Sequence, residues 1–169
     1  MDQIVQYQSM IGALQWIVTI GRFDIHSAEP LGNYVTLTHY VDANLMHDVA
    51  TGRSGTGILP LANKTPIEWY SKKQTTVETA TYGSEFVAAR ICVEQIIDLH
   101  NTLRYLGVPI REKSYMFGDN KSVVDSSMQL DAKLHKRHTM LSFHRVREAI
   151  AAGILSFYFL SGDDILQTY

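Results

Sequence analysis

Three acidic residues stand out because each interrupts a pattern that should be buried. Asp42 ends the alternating segment YVTLTHYVD, and Asp119 ends the apolar run KSYMFGD. Glu85 lies on the apolar stripe of a long helical pattern, near its start. Taken singly, an acid at a strand end is usually a turn former or a helix N-cap. Three such acids at close range would repel one another, and a cation would have to neutralise them.

The chemistry of such a cluster would depend on hard metal ions. A site of oxygen ligands suits Mg²⁺ or Mn²⁺ rather than Zn²⁺. Two such ions can cleave a phosphodiester bond, one activating water and the other stabilising the leaving oxygen. His135, His138 and His144 lack the cysteine pair or carboxylate motif that would complete a tetrahedral site, so zinc is the weaker hypothesis.

Alternation and turn residues predict three strands in the first half of the chain. Residues 34–42 have an apolar face that consists of Val35, Leu37, His39 and Val41. Strands within 56–62 and 67–71 are close enough in sequence to complete an antiparallel meander. Pro60 predicts an edge position or a bulge in the second strand. The polar segment 43–55, ANLMHDVATGRSG, predicts a loop.

A long helix is predicted over roughly 79–105. Its stripe recurs at steps of three and four and consists of Ala89, Cys92, Ile96, Leu99, Leu103 and Leu106. The strand KSYMFGD, a short helix in NKSVVDSSM, a helix over 138–152 and a last strand in ILSFYFLS follow. A strand–helix–strand unit of this length should be a right-handed crossover with parallel strands. Asp42 and Asp119 would then share the carboxyl edge of the sheet, and Glu85 could reach it.

Composition limits the class of protein. The apolar fraction of 46% and the charged fraction of 19% over 169 residues predict one soluble globular domain. A net charge of -2 provides no global attraction to nucleic acid, so any such surface must be local. A lone cysteine, Cys92, excludes an internal disulfide. The run MIGALQWIVTI is too short to span a bilayer and lacks the basic flank of a signal peptide, which predicts an intracellular protein.

An ordered set of motifs connects the sequence to a known family. The motifs are Asp42-Ala43, RSGTG (53–57), EWYSKKQ (68–74), TATYGSEFVAA (79–89), YMFGDNKSVV (115–124) and KRHTMLSFHRVRE (136–148). In this order and at about this spacing, over residues 34–164, they resemble the ribonuclease H domain of copia-type retrotransposon polyproteins. The N-terminal stretch YQSMIGALQWIVTIGRFDI resembles the segment that closes the reverse transcriptase just upstream in such polyproteins.

This resemblance implies an RNase H-like α/β fold. We expect a five-stranded mixed sheet, with three antiparallel and two parallel strands, flanked by helices. The family's C-terminal helix should be missing, since the sequence stops at Tyr169. Residues 1–29 would be a helical tail and linker derived from reverse transcriptase, and residues 30–169 the RNase H-like domain. Residues 29–33 are either a native linker or the scar of a deletion.

The resemblance also assigns roles to the acids. Asp42, Glu85 and Asp119 match the catalytic, metal-binding carboxylates of the family. Its fourth acid lies after the fifth strand, in a stretch resembling Gly-x-x-Asn-Pro-Ala-Asp-Ile-Leu. Here that stretch reads SGDDILQTY, four residues shorter. Asp164 aligns with the fourth acid, although the gap could equally fall after both Asp163 and Asp164.

Basic residues indicate where a nucleic acid could bind. The segment 133–147 holds five Lys or Arg residues and no acid, a pattern typical of a solvated helix face but also of phosphate contact. The residues predicted to contact substrate are Lys72, Lys73, Asn120, Lys121, Lys136, Arg137 and His138.

The implied activity is endonucleolytic hydrolysis of the RNA strand of RNA–DNA hybrids by two Mg²⁺ or Mn²⁺ ions, during reverse transcription. The partners would be the hybrid and the reverse transcriptase portion of the polyprotein, without membrane or small-molecule cofactor. The setting would be the cytoplasm, within a virus-like particle, or the nucleus. Two alternatives stay open: a degenerate domain that binds nucleic acid without cutting it, and a structural module that packs on a reverse transcriptase.

Overall fold

The fold is given by a computed structural model that describes residues 34–129 and 139–161. Within these ranges the strands are β1 (Leu37–Asp48), β2 (Arg53–Ala62), β3 (Thr65–Pro66), β4 (Tyr70–Lys73), β5 (Ser114–Gly118) and β6 (Leu155–Phe159). The helices are α1 (Thr81–Tyr105), α2 (Lys121–Met128) and α3 (Met140–Ala151). In the described ranges, every helix is too short or too polar to cross a membrane. The predicted boundary between residues 29 and 30 lies outside these ranges and stays a prediction.

All described strands belong to one mixed sheet. Its order is β3-β2-β1-β5-β6, and β4 pairs with β2 beside β3. The β1–β2 pair is antiparallel, whereas β5 runs parallel to both β1 and β6. The crossover from β1 to β5 passes through α1, which packs against β1. The predicted mixed α/β fold is therefore confirmed.

The connection between β1 and β2 differs from the predicted loop over 43–55. The strand β1 continues to Asp48, β2 begins at Arg53, and a turn with Gly52 at a φ of 68° joins them. The prediction was wrong because backbone pairing holds this part of the hairpin together with few buried side chains, Ala43 and Ser54 being the buried residues of 43–55. The register shifts between Asn44 and Asp48, which also removes the alternation that would signal a strand.

The third predicted strand is divided into β3 and β4. Leu61 faces Pro66 and Ile58 faces Tyr70, so the two residues of β2 in between oppose three residues of the partner. This irregularity lies opposite Pro60, which has no N–H to donate to the ladder. The extra residue belongs to the partner segment and not to β2, and β2 is not an edge strand, so the bulge or edge position predicted for the second strand was wrong in its placement. The carbonyl of Pro60 still accepts a 3.0 Å hydrogen bond from the N–H of Ile67. The sheet consequently has six strands rather than the predicted five.

The core lies between the sheet and the helices. The buried residues of the predicted α1 stripe are Ala89, Cys92, Ile96 and Leu103, while Leu99 and Leu106 are half-buried. Leu37, His39 and Val41 of β1 are buried, as is Val35 just before the strand, as alternation predicted. Phe86 of α1 contacts the ring of Phe143 of α3 edge-on, with centroids 5.5 Å apart. These contacts fix the start of α1 over the sheet, where Glu85 lies.

Candidate active site

Strand register brings the two aspartates together. Val41 of β1 pairs with Gly118 of β5 in the parallel ladder. Asp42 is the next residue of β1 and Asp119 directly follows β5, and both residues are exposed. Gly118 leaves room for the ring of Phe157 below this edge, since a Cβ there would lie 3.1 Å from that ring.

Glu85 completes the cluster from the other side. It lies near the start of α1, and its residue is only 6% exposed. One carboxylate oxygen each from Asp42, Glu85 and Asp119 lies within 4.8 Å of the others. The three predicted acids therefore converge, although they come from three separate segments of the chain.

The electrostatics of this cluster favour a cation. Burial, followed by the charges of Asp119 and Asp42, raises the pKa of Glu85 to about 8, and a backbone hydrogen bond from Ala43 partly opposes the rise. Burial and the Asp42 charge also raise the pKa of Asp119. A divalent ion would remove this repulsion, and carboxylate oxygens are the ligands that Mg²⁺ and Mn²⁺ prefer. The residues present thus fit a hard metal ion.

The turn after Asp119 has a structural role as well. Asn120 is the N-cap of α2, and its side-chain oxygen accepts a 3.2 Å hydrogen bond from the N–H of Val123. Lys121, the first residue of α2, is exposed beside the acidic cluster. One of the two predicted substrate contacts in this turn is therefore engaged in capping, and the other faces solvent.

The two lysines of β4 also differ, because one forms an ion pair within the protein and the other faces solvent. Lys73 Nζ lies 2.9 Å from Asp48 Oδ2, an ion pair that ties β4 to the end of β1. Hydrogen bonds from Lys73 and Thr51 lower the pKa of Asp48 to about 2. Lys72 is exposed, and its Nζ lies 5.4 Å from the ring centroid of Tyr70. Of the other predicted site residues, Lys136, Arg137, His138 and Asp164 lie outside the described residues.

One buried polar residue near the cluster was not predicted as a site residue. Gln74 follows β4, is 2% exposed, and bonds both the sheet and the first turn of α1. It stands in the EWYSKKQ motif, but neither alternation nor helical spacing indicates that its side chain is buried beside Glu85. Only the tertiary contacts reveal its position.

Comparison with known proteins gives a sequence relative and several structural ones. No family model matches the chain. Over 120 residues it is 29% identical to the retrovirus-related Pol polyprotein from transposon TNT 1-94 of Nicotiana tabacum. The structure of LC11-RNase H1, isolated from compost, aligns with a TM-score of 0.59 at 14% identity, over 79% of this chain and 89% of that one. The chain therefore has an RNase H-like fold, and its sequence is similar to part of a retrotransposon Pol polyprotein.

Further comparisons concern how much of each relative is covered. The RNase H-like domain aligns over 70% of its own length but spans only 9% of the tobacco polyprotein. A second structure of LC11-RNase H1, in complex with an RNA/DNA hybrid, aligns with a TM-score of 0.58 at 14% identity, covering 76% and 88% of the two chains. The prototype foamy virus protease-reverse transcriptase aligns with a TM-score of 0.56 at 12% identity, covering 80% and 18%.

Proposed function

We propose that the RNase H-like domain hydrolyses the RNA strand of RNA–DNA hybrids as an endonuclease, with two Mg²⁺ or Mn²⁺ ions. The observation that carries this proposal is the convergence of Asp42, Glu85 and Asp119, whose ligand atoms lie within 4.8 Å of one another. The LC11-RNase H1 structure with an RNA/DNA hybrid, which shares this fold, supports the choice of substrate.

The roles of the acids follow from their exposure. Asp42 and Asp119 face solvent, so that they can hold an ion while a phosphate approaches from outside. Glu85 closes the buried side of the same site. Bound there, the ions would activate a water and stabilise the departing 3′ oxygen. We assign Asp164 as a fourth ligand on the family resemblance alone.

Substrate contact would come from the basic residues around the cluster. Lys121 lies two residues beyond Asp119 and is exposed, so its ammonium group could contact a backbone phosphate. Lys72 on β4 is similarly accessible. Contacts from Lys73, Asn120, Lys136, Arg137 and His138 are part of the proposal on the strength of the sequence motifs. Selectivity for RNA would depend on recognition of its 2′-hydroxyl groups.

The proposed setting is reverse transcription of a copia-type retrotransposon. The relative in tobacco is a Pol polyprotein, and a foamy virus protease-reverse transcriptase contains the same fold. We therefore propose the reverse transcriptase portion of the same polyprotein as the protein partner.

A cleavage assay tests the activity directly. The substrates are an end-labelled RNA–DNA hybrid, duplex DNA and duplex RNA, each incubated with Mg²⁺ or with EDTA. We expect internal cuts in the RNA of the hybrid alone, and none with EDTA or with the Asp119→Asn variant. Asp125→Asn is the matched control, since Asp125 is exposed on α2 and is not part of the cluster.

Other outcomes separate the alternative functions. If wild type and Asp119→Asn are equally inert but both retard the hybrid in a gel, the enzyme proposal fails and a binding domain remains. If neither protein cuts or retards the hybrid, a structural module is favoured.

A further inference from the structure

We propose that Gln74 is a positioning residue that holds Glu85 in register with the strand acids. This inference rests on the proposed metal-dependent function. It concerns a residue that contacts neither a phosphate nor a metal ion, but links the two halves of the acidic cluster through its side-chain amide.

The contacts of Gln74 are specific and buried. Its Nε2 donates a 2.9 Å hydrogen bond to the backbone carbonyl of Ser84 and a 3.0 Å hydrogen bond to Thr56 Oγ1. Its backbone N–H donates a 2.8 Å hydrogen bond to the carbonyl of Ser54. The side chain is thereby fixed between β2 and the first turn of α1.

The residues that Gln74 joins are neighbours of the acids. Ser84 directly precedes Glu85 in α1. Thr56 pairs across the β1–β2 ladder with Ala43, which directly follows Asp42. One amide group therefore connects the backbone beside Glu85 to the strand pair beside Asp42.

The orientation of the amide is determined by its partners. The carbonyl of Ser84 can only accept, so the NH₂ group must face it. The oxygen Oε1 is then buried without a hydrogen-bond partner among the described residues. Burying an unpaired acceptor costs stability, and an apolar side chain would avoid that cost. An amide at this position is therefore better explained by the two bonds that it donates to fixed points beside the site.

Two features of the first turn of α1 favour a further hydrogen bond from the sheet. Its N-cap, Ala80, makes no side-chain capping hydrogen bond. When ionised, Glu85 must also lie close to two other carboxylates, and their repulsion tends to push the turn away from the sheet. The hydrogen bond from Gln74 opposes that movement.

The test is a double-mutant cycle read out as Mn²⁺ affinity by isothermal titration calorimetry. Gln74→Met keeps the length of the side chain but removes both donated bonds. In the wild-type background we expect it to weaken Mn²⁺ binding about tenfold, the size typical of residues that orient metal ligands. In the Glu85→Gln background, where Asp42 and Asp119 still bind Mn²⁺ weakly, we expect less than a twofold effect, because the residue that Gln74 positions is no longer a charged ligand.

Two further variants control for stability. Ser114→Ala removes a 2.7 Å side-chain contact between Ser114 of β5 and His100 of α1. Because His100 lies toward the end of α1 that is far from Glu85, this variant should leave Mn²⁺ affinity within twofold of wild type. Thr56→Val removes only one of the two hydrogen bonds that the side chain of Gln74 donates. It should weaken Mn²⁺ binding by a smaller factor, and it tests the same link if Gln74→Met does not fold.

The outcomes distinguish this inference from the proposed function. Equal weakening by Gln74→Met in both backgrounds, or no weakening while wild type binds Mn²⁺ and cleaves the hybrid, would overturn the positioning role alone. A wild-type protein that neither binds Mn²⁺ nor cleaves the hybrid would overturn the proposed function, and the role of Gln74 with it.

Discussion

Asp42 and Asp119 lie side by side because each follows one member of a facing pair, Val41 and Gly118, on parallel strands. Two acids in this arrangement share one edge of the sheet, and α1 brings Glu85 to the same point. The site thus depends on strand register as much as on the acids themselves. Changes that disturb the register should affect it even when every carboxylate is retained.

Gly118→Ala should disturb the site through packing. The new methyl group would lie 3.1 Å from the ring of Phe157, which is buried and has little room to move. We expect a loss of roughly 1–3 kcal/mol in the free energy of unfolding, together with reduced hybrid cleavage. Gly57→Ala is the control, since nothing lies within 4 Å of its added methyl group. Urea denaturation of both variants measures the difference, and equal stabilities would contradict the packing argument.

Glu85→Gln should separate stability from activity. With a pKa of about 8, Glu85 must take up a proton when the metal-free protein folds at neutral pH, whereas Gln is neutral without one. The metal-free variant should therefore gain about 0.5–2 kcal/mol of stability while losing hybrid cleavage. Thermal unfolding in EDTA measures the gain. Adding Mg²⁺ should raise the melting temperature of wild type but hardly that of the variant. A variant that is less stable than wild type in EDTA would show that repulsion does not dominate the cluster.

Lys121→Ala should weaken hybrid binding in a salt-dependent way. Removing one phosphate contact is expected to reduce the slope of log K against log salt by about one. Lys113→Ala is the matched control, because Lys113 is also exposed but precedes β5 at the opposite end of the strand from Asp119. Fluorescence anisotropy in EDTA, at several salt concentrations, measures both slopes. Identical slopes for the two variants would show that the hybrid does not contact Lys121.

His39 should make the fold sensitive to mild acid. Its side chain is fully buried, and neither ring nitrogen has a hydrogen-bond partner among the described residues. Burial, with a smaller effect from His100, lowers its pKa from 6.5 to about 4. Below pH 6.5 the unfolded chain therefore binds a proton at His39 that the folded chain does not, and the His39 contribution to stability falls until the pH reaches about 4. Between pH 6.5 and 5 this loss should be roughly 2 kcal/mol. The raised pKa of Glu85 acts with the opposite sign, so the effect of His39 is read from the difference between wild type and a His39 variant.

The variant His39→Leu tests this origin of the acid sensitivity. It removes the titrating ring from the core, so its free energy of unfolding should fall less steeply between pH 6.5 and 5 than that of wild type. His144→Ala provides the control, since His144 is exposed on α3 and should leave the slope unchanged. Urea denaturation at each pH supplies the values, and parallel curves for wild type and His39→Leu would exclude His39 as the cause.

Much of the fold could be predicted because its signals are local. The alternation that ends at Asp42 and the helical stripe that includes Glu85 each reflect burial of one face of a single element. The irregular pairing opposite Pro60 follows from a missing N–H, which is a property of one residue, although the extra residue lies in the partner segment. By contrast, the extension of β1 to Asp48 depends on pairing with β2 beyond the core, where burial leaves no pattern in the sequence.

The sequence by itself determined which acids could form a site and which elements carry them, because strand ends, helical spacing and family motifs are all patterns of neighbouring residues. Only the tertiary structure decided what surrounds them: Lys73 pairs with Asp48, and Gln74 joins β2 to α1. The physical reason is that hydrogen bonds and ion pairs act over about 3 Å in space, between residues whose separation along the chain carries no periodic signal.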